Sequence, residues 1–178
     1  MSAMLELRRP SLELMESFEA MVGETLAQGE DGYPRLFELL GLSLDNPEGF
    51  VRRLEEYNRG VNLPWGLVPS STWWLVADGA EVVGESRLRH HLTPGLNLEG
   101  GHIGYVVRPS ARRRGYGTRL LALTMEQARA RGLQRVLLTC NSENLPSARI
   151  IQKNGGTFEN EVVSPVSGKM VSRYWIEL

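Results

Sequence analysis

The stretch Gly104–Thr118, GYVVRPSARRRGYGT, decides the fold of this chain. Its apolar start is typical of a buried strand, and helical spacing of apolar residues runs from Gly117 to a stop at Gly132. The first amides of a helix have no partner inside the helix, and the helix dipole adds positive partial charge there. Gly115 and Gly117 remove the Cβ atoms that would hold a ligand away from the backbone. The stretch therefore predicts a strand, an anion-binding turn and a helix, with phosphate or pyrophosphate as the ligand.

Two common phosphate-binding loops do not fit this turn. A P-loop needs a lysine after its last glycine, whereas Thr118 follows Gly117. A dinucleotide-binding loop needs a third glycine, and Leu120 stands at that position. The pattern that remains is Arg112-x-x-Gly115-x-Gly117. Taken alone, a tight turn with solvated arginines explains the same residues.

A second strand and helix follow the first. Residues 133–140 form an apolar run typical of a buried strand. Asn144 is a favourable helix N-cap, Pro146 suits the first turn, and Gly155 suits the end of that helix. The sequence thus predicts two consecutive strand–helix units.

These two units resemble the core motifs of the GNAT superfamily of acetyl-CoA-dependent N-acetyltransferases. The first is similar to the family's pyrophosphate loop, Gln/Arg-x-x-Gly-x-Gly/Ala. The second family motif is a strand, an Asn and a helix that ends in a Lys-x-Gly-type sequence. This chain carries residues at the matching offsets: Asn144, Ser147, Lys153 and Gly155. The resemblance extends from Trp73 to the C-terminus.

The resemblance implies an α/β fold with one central mixed sheet, helices on both faces, and a single domain over residues 1–178. Patterning along the chain predicts the compatible element order β-α-α-β-β-β-α-β-α-β-β. A short helical piece is expected at 35–40, and an irregular connection at 90–101. The loop 61–70 is interpreted either as a surface loop anchored by Trp65 or as a lid over the acceptor site.

Composition and charge exclude several classes of function. The 178 residues carry a formal net charge of −1, so neither nucleic acid nor an anionic membrane is indicated as a partner. Cys140 is the single cysteine, which agrees with a reducing, cytoplasmic location and is expected to be a small buried residue rather than a nucleophile. No run of 18 apolar residues suggests a membrane span. The three histidines lack metal-site spacing, so no metal is expected.

The resemblance also implies where acetyl-CoA binds. The family's two central strands separate and the pantetheine arm lies between them; here these strands would be 102–107 and 135–140. The backbone of Tyr105, Val106 and Val107 would contact the arm, and the Tyr105 amide would polarise the thioester carbonyl. Pyrophosphate would be bound by the turn: Arg112, Arg113, Arg114, Gly115, Tyr116, Gly117 and Thr118. The other implied contacts are Asn141, Asn144, Ser147, Ala148, Ile151 and Lys153.

The implied reaction is direct attack of a primary amine, from a small molecule or a peptide, on the thioester. A homodimer is a possible oligomeric state. Many family members protonate the leaving thiolate with a tyrosine seven residues after the motif Asn, but Ile151 stands there. The acid is then another group, for which Tyr105 and Ser147 are candidates, or it is water, or the reaction needs none. A non-catalytic acyl-CoA sensor is the competing function, and the missing tyrosine favours it.

The attacking amine must lose a proton, so the reaction also needs a base or a water chain. Alternate residues of a strand share a face, which would place Glu99 in line with Tyr105. Glu85 lies on the neighbouring hairpin strand, whereas His102 would point to the opposite face. A carboxylate in a partly dry cleft has a raised pKa, which suits a base. We therefore expect Glu99 first, Glu85 second and His102 third, with a solvated loop as the competing interpretation of Glu99.

Overall fold

The computed structural model describes residues 3–30 and 32–178. Short 3-10 turns at Leu12–Leu14 and Pro109–Ala111 precede the first and fifth helices. The described elements, in chain order, are β1 (Leu5–Arg8), α1 (Met15–Ala27), α2 (Gly32–Leu40), α3 (Pro47–Arg59), β2 (Ser70–Ala77), β3 (Glu81–Arg89), α4 (Pro94–Leu98), β4 (Ile103–Val107), α5 (Tyr116–Ala130), β5 (Arg135–Asn141), α6 (Leu145–Lys153), β6 (Thr157–Val163) and β7 (Met170–Glu177).

The strands form two antiparallel half-sheets, ordered β1-β2-β3-β4 and β5-β7-β6. Strands β4 and β5 are neighbours, but no backbone ladder joins them in the described residues. A backbone hydrogen bond connects them just before β4, where the His102 amide donates to the Leu137 carbonyl oxygen at 2.7 Å. The expected gap between the two central strands is therefore present, and it divides the sheet.

Helices cover both faces of this divided sheet. On one face Phe18 of α1 stacks on Trp74 of β2, with ring centroids 4.5 Å apart, and Phe50 and Tyr57 of α3 are buried beside them. On the other face α5 buries the residues predicted for its inner side: Leu120, Leu121, Thr124, Met125 and Ala128. Burial of large apolar side chains is the main force that stabilises such layers. The predicted fold class is confirmed.

The helix ends follow the predicted capping residues. The Asn46 side chain accepts a hydrogen bond from the Gly49 amide at 3.0 Å, and the Asn144 side chain accepts one from the Ser147 amide at 3.1 Å. Gly60 ends α3 in the left-handed conformation, with φ of 71°, which costs least for glycine. These local rules fix where α3 and α6 begin and end.

The predicted element order was wrong in one place and incomplete in another. The connection expected to be irregular contains α4, whose N-cap Thr93 accepts from the Leu96 amide at 3.2 Å. Five residues are too few for apolar periodicity to reveal such a helix. Helix α2 is longer than the piece predicted at 35–40, because it starts at Gly32 and buries Tyr33 against the N-terminal core.

Candidate active site

A cavity of about 770 Å³ opens where β4, the start of α5 and α6 converge. Most of its lining residues are ones that the sequence predicts as cofactor contacts: Tyr105, Val106, Val107, Arg112, Arg113, Gly115, Tyr116, Gly117, Thr118, Asn144, Ser147 and Lys153. Four further lining residues escaped the sequence argument: Glu30, Pro146, Arg149 and Ile150. The cavity therefore occupies the gap between the half-sheets and extends to the arginine-rich turn.

The N-terminus of α5 is open towards a ligand. Its N-cap, Gly115, has φ of 81° and no side chain that could accept from the first-turn amides, unlike Asn46 of α3 and Asn144 of α6. Within the described residues, the amides of Tyr116, Gly117 and Thr118 have no hydrogen-bond acceptor. Unsatisfied helix amides at a cavity wall are a binding site for phosphate oxygens.

Cationic side chains surround this helix end. Arg113, Arg149 and Lys153 line the cavity and take part in no salt bridge with the described carboxylates. Arg112 differs, because it donates to both carboxylate oxygens of Glu30, at 2.7 and 2.8 Å. That hydrogen-bonded pair lowers the pKa of Glu30. The cavity wall therefore carries net positive charge. The carboxylate of Glu30 neutralises one of these charges, that of Arg112.

Gly117 sets how closely α5 approaches its neighbours. A Cβ atom added to Gly117 would lie 2.6 Å from Cδ1 of Ile150 and 3.3 Å from Cγ2 of Val107. The glycine thus allows α5, α6 and β4 to meet around one cavity. Substitution of Gly117 would disturb this packing as well as any ligand, so the position tests ligand binding poorly.

The register of β4 directs alternate amides into the gap. The backbone amide of Arg89 donates to the His102 carbonyl, and that of Arg108 donates to the Val83 carbonyl, so residues of even number in β4 pair with β3. In an antiparallel ladder the residues between them point their N–H and C=O groups the other way. The amides of Tyr105 and Val107 therefore face β5 and the cavity, as a strand-like ligand would require.

Tyr105 crosses from one half-sheet to the other. Its hydroxyl lies 2.8 Å from Oγ of Ser147 and donates to the Ser147 carbonyl at 3.3 Å. Burial raises the pKa of Tyr105 to about 12, so the phenol keeps its proton at all ordinary pH values. Burial also raises the pKa of the Cys140 thiol. A neutral proton donor is thus held at the inner end of the cavity.

Four of the predicted cofactor residues lie outside the cavity lining: Arg114, Asn141, Ala148 and Ile151. Ile151 has 0% exposure and packs in the core under α6, so no acid can act from its position. Ala148 packs against the same core. The side chains of Arg114 and Asn141 are exposed, and the Asn141 carbonyl accepts from the Asn144 amide at 2.8 Å, which closes the turn before α6.

The alternation that aligned Glu99 with Tyr105 was wrong. Strand β4 begins only at Ile103, and positive φ angles at Gly100 (106°) and Gly101 (59°) turn the chain between them. The half-buried Glu99 carboxylate instead accepts from the Ser164 hydroxyl at the turn between β6 and β7. Glu99 therefore joins the start of β4 to the other half-sheet.

The other two candidates for the base are buried in structural roles. Glu85 accepts from Nε1 of Trp74 at 3.1 Å and pairs with Arg87 at 3.8 Å, on the sheet face under the N-terminal helices. Burial raises its pKa. Nδ1 of His102 accepts from the Leu137 amide at 2.9 Å, and desolvation lowers the His102 pKa to about 4. None of the three candidates, Glu99 included, lines the cavity.

The family follows from a profile match. The sequence profile of the acetyltransferase (GNAT) family matches residues 34–156. The chain belongs to the GNAT acetyltransferase family. Enzymes of this family take the acetyl group from acetyl-CoA, so the predicted family, enzyme class and co-substrate are confirmed. No protein of curated function matches the sequence.

Solved GNAT structures share the fold at low sequence identity. RimL, a ribosomal L7/L12 alpha-N-protein acetyltransferase in complex with coenzyme A, is 18% identical over 98% of this chain and 94% of its own, with a TM-score of 0.71. MccE, a microcin C7 self-immunity acetyltransferase in complex with acetyl-CoA and AMP, is 12% identical over 98% and 92%, with a TM-score of 0.71. RimJ of Mycobacterium smegmatis, in complex with CoA-disulfide, is 18% identical over 97% and 81%, with a TM-score of 0.69.

Two kinds of feature are absent from the described part of the GNAT chain. None of its helices is long and apolar enough to cross a membrane. No cluster of His, Cys, Asp and Glu side chains there has the arrangement of a metal site.

Proposed function

We propose that the protein transfers the acetyl group of acetyl-CoA to a primary amine. The observation that carries the proposal is the uncapped N-terminus of α5, which opens into a cavity that also exposes unpaired amides of β4. A pyrophosphate fits the first feature and a pantetheine arm fits the second. Acetyl-CoA supplies an activated thioester. The residues around it bind the cofactor, orient its thioester and donate protons.

Each group then has a role in the proposal. The amides of α5 and the side chains of Arg113, Arg149 and Lys153 bind the phosphates. The amides of Tyr105 and Val107 orient the arm, and the Tyr105 amide polarises the acyl carbonyl. The Tyr105 hydroxyl, connected to Ser147, donates a proton to the departing sulfur in place of the tyrosine that Ile151 replaces.

Glu99 is our proposed base, because it is half-buried whereas Glu85 and His102 are 5% and 7% exposed. The pH profile of kcat/KM tests this role. Replacement of Glu99 by Gln keeps an acceptor for Ser164, so a loss of the acidic limb in that variant supports the base. If rate and limb both persist, the amine loses its proton to water or to another group.

The acceptor is proposed to be the amine of a peptide or a small molecule. RimL is named for acetylation of the α-amino group of ribosomal L7/L12, and this supports a peptide amine. MccE is named for self-immunity to microcin C7, which keeps the small-molecule class in consideration. We also propose that residues 1–178 act as one domain in the cytoplasm, with Cys140 reduced.

Release of free thiol from acetyl-CoA tests the function. The protein is mixed with acetyl-CoA and a panel of small amines and peptides with free N-termini, and thiol is followed against a blank without amine. Amine-dependent release, with a product heavier by one acetyl group, supports the enzyme. Binding of acetyl-CoA without release across the panel favours the acyl-CoA sensor, which Ile151 at the usual acid position makes the second candidate.

A further inference from the structure

A second cleft, of about 540 Å³, lies at the opposite end of α5. Its lining comes from the residue after β1, the end of α3, the start of β2, the end of β3 and the end of α5: Arg9, Asn58, Ser71, Trp73, Leu88, Gln127, Ala130 and Arg131. None of these residues lines the first cavity. Thr118 and Arg131, which line one cavity each, are about 20 Å apart along the helix. The cleft is therefore a separate feature of the surface.

Hydrogen-bond donors dominate the walls of this cleft. Arg131 donates to Oγ of Ser71 at 3.3 Å, and Arg9 stacks over the Trp73 ring at 4.7 Å. The Trp73 indole N–H is buried and has no acceptor among the described residues. An unsatisfied buried donor costs free energy, so this N–H is sensitive to any change in its surroundings, such as a ligand beside the Trp73 ring.

The charge of the cleft is also unbalanced. No carboxylate lines it. Arg9 pairs with Glu55 at 2.8 Å at the rim, whereas Arg131 forms no salt bridge with any carboxylate of 3–30 or 32–178. The adjacent His90, bonded to Ser71 at 2.8 Å, has its pKa lowered to about 4 by burial and then by Arg131. The field in the cleft is therefore positive.

We propose that this cleft is a second binding site, for a small organic anion that presents a carboxylate or a phosphate group. The Arg131 guanidinium supplies a planar pair of donors, Arg9 adds a second cation above the Trp73 ring, and Gln127 can bond to the rest of the molecule. The site takes a ligand other than the acetyl donor, since it shares no residue with the first cavity.

The Trp73 indole N–H resonance tests the proposal directly. It is assigned by its loss in Trp73→Phe and followed while inorganic phosphate or malonate is added, with chloride of equal ionic strength as the blank. A saturable shift is expected with at least one of the two anions. Which of them binds more tightly distinguishes a phosphate ligand from a carboxylate ligand.

Two matched variants locate the anion. Arg131→Gln removes the lining charge and should weaken the affinity about tenfold or more. Arg129→Gln removes an equal charge from the same helix turn, but Arg129 is exposed and lies outside the cleft, so this variant should leave the anion affinity unchanged. The proposal is overturned if neither anion shifts the resonance saturably, or if Arg131→Gln binds as well as Arg129→Gln. Because the probe sits in the second cleft, neither outcome depends on acetyl-CoA binding.

Discussion

The Tyr105 side chain extends from β4 to helix α6, which packs on the other half-sheet. The role of its hydroxyl can be tested by removing that one oxygen. Tyr105→Phe keeps the ring and the backbone amide but deletes the hydroxyl that bonds to Ser147. We expect kcat to fall about a hundredfold, since general acid catalysis contributes about that much or more. The Kd of acetyl-CoA, measured by calorimetry, should change little.

Tyr57→Phe is the control for Tyr105→Phe. Its hydroxyl donates to the Leu40 carbonyl at 3.0 Å inside the N-terminal core, so its loss affects stability rather than kcat. An undiminished kcat in Tyr105→Phe would assign the proton to Ser147 or to water. The pKa of about 12 for Tyr105 means that its own titration lies above the assay range.

Glu30 gives a second prediction at the scale of single residues. Its carboxylate lines the cavity and bonds to Arg112. Glu30→Gln removes a negative charge that opposes phosphate and leaves Arg112 cationic, so CoA should bind about two- to fivefold more tightly, within the range of an exposed ion pair. Glu24→Gln is matched, because Glu24 pairs with Arg108 at 2.7 Å outside the cavity. Equal or weaker CoA binding in Glu30→Gln would contradict the prediction.

At the scale of elements, strand β4 allows two sets of its own backbone amides to be compared. The amides of Tyr105 and Val107 face the gap, whereas those of Gly104 and Val106 bond to β3. Saturating CoA should slow hydrogen exchange at the first pair about tenfold or more, and leave the second pair unchanged. Residue-resolved exchange by NMR measures both. Protection that is equal at all four amides would mean general stabilisation and not strand-like binding in the gap.

The contact between β4 and β5 predicts a pH dependence of stability. The pKa of His102 is about 4 in the fold and about 6.5 in the unfolded chain. Between these values the unfolded chain binds more protons, so stability falls as the pH falls from 6.5 to 4, by at most about 1.4 kcal/mol per pH unit for one histidine. His102→Asn keeps an acceptor for the Leu137 amide and removes this titration.

Denaturation at several pH values tests the contact. The His102→Asn variant should lose less stability between pH 6.5 and 4 than the wild type. Some slope should persist, since His90 also has its pKa lowered to about 4. An unchanged slope in His102→Asn would show that the histidine does not titrate with unfolding.

Local rules explain what the sequence could predict. The turn from Arg112 to Gly117 and the cap at Asn144 depend on residues a few positions apart, so both are visible in one chain. Glu30 joins the site only because the end of α1 packs beside the turn, 82 positions away. The alternation that aligned Glu99 failed because two glycines with positive φ turn the chain before β4. Contacts that depend on packing or on such turns have no short-range signal.

For the whole molecule, a ligand that lies in the gap between the half-sheets should stabilise the fold. CoA and pantetheine should do so to different extents. In the proposed site CoA would contact β4, α5 and α6 together, so at about 100 times its Kd it should add about 2.7 kcal/mol to the free energy of unfolding. For a chain of this length the Tm should rise by about 5–10 °C. Pantetheine, which lacks the pyrophosphate, should raise the Tm less at equal concentration, because it leaves the α5 amides unpaired. Thermal unfolding followed by circular dichroism measures both shifts. Equal Tm shifts would contradict binding of the pyrophosphate at the α5 turn. No shift with either ligand would contradict binding of acetyl-CoA in the cavity.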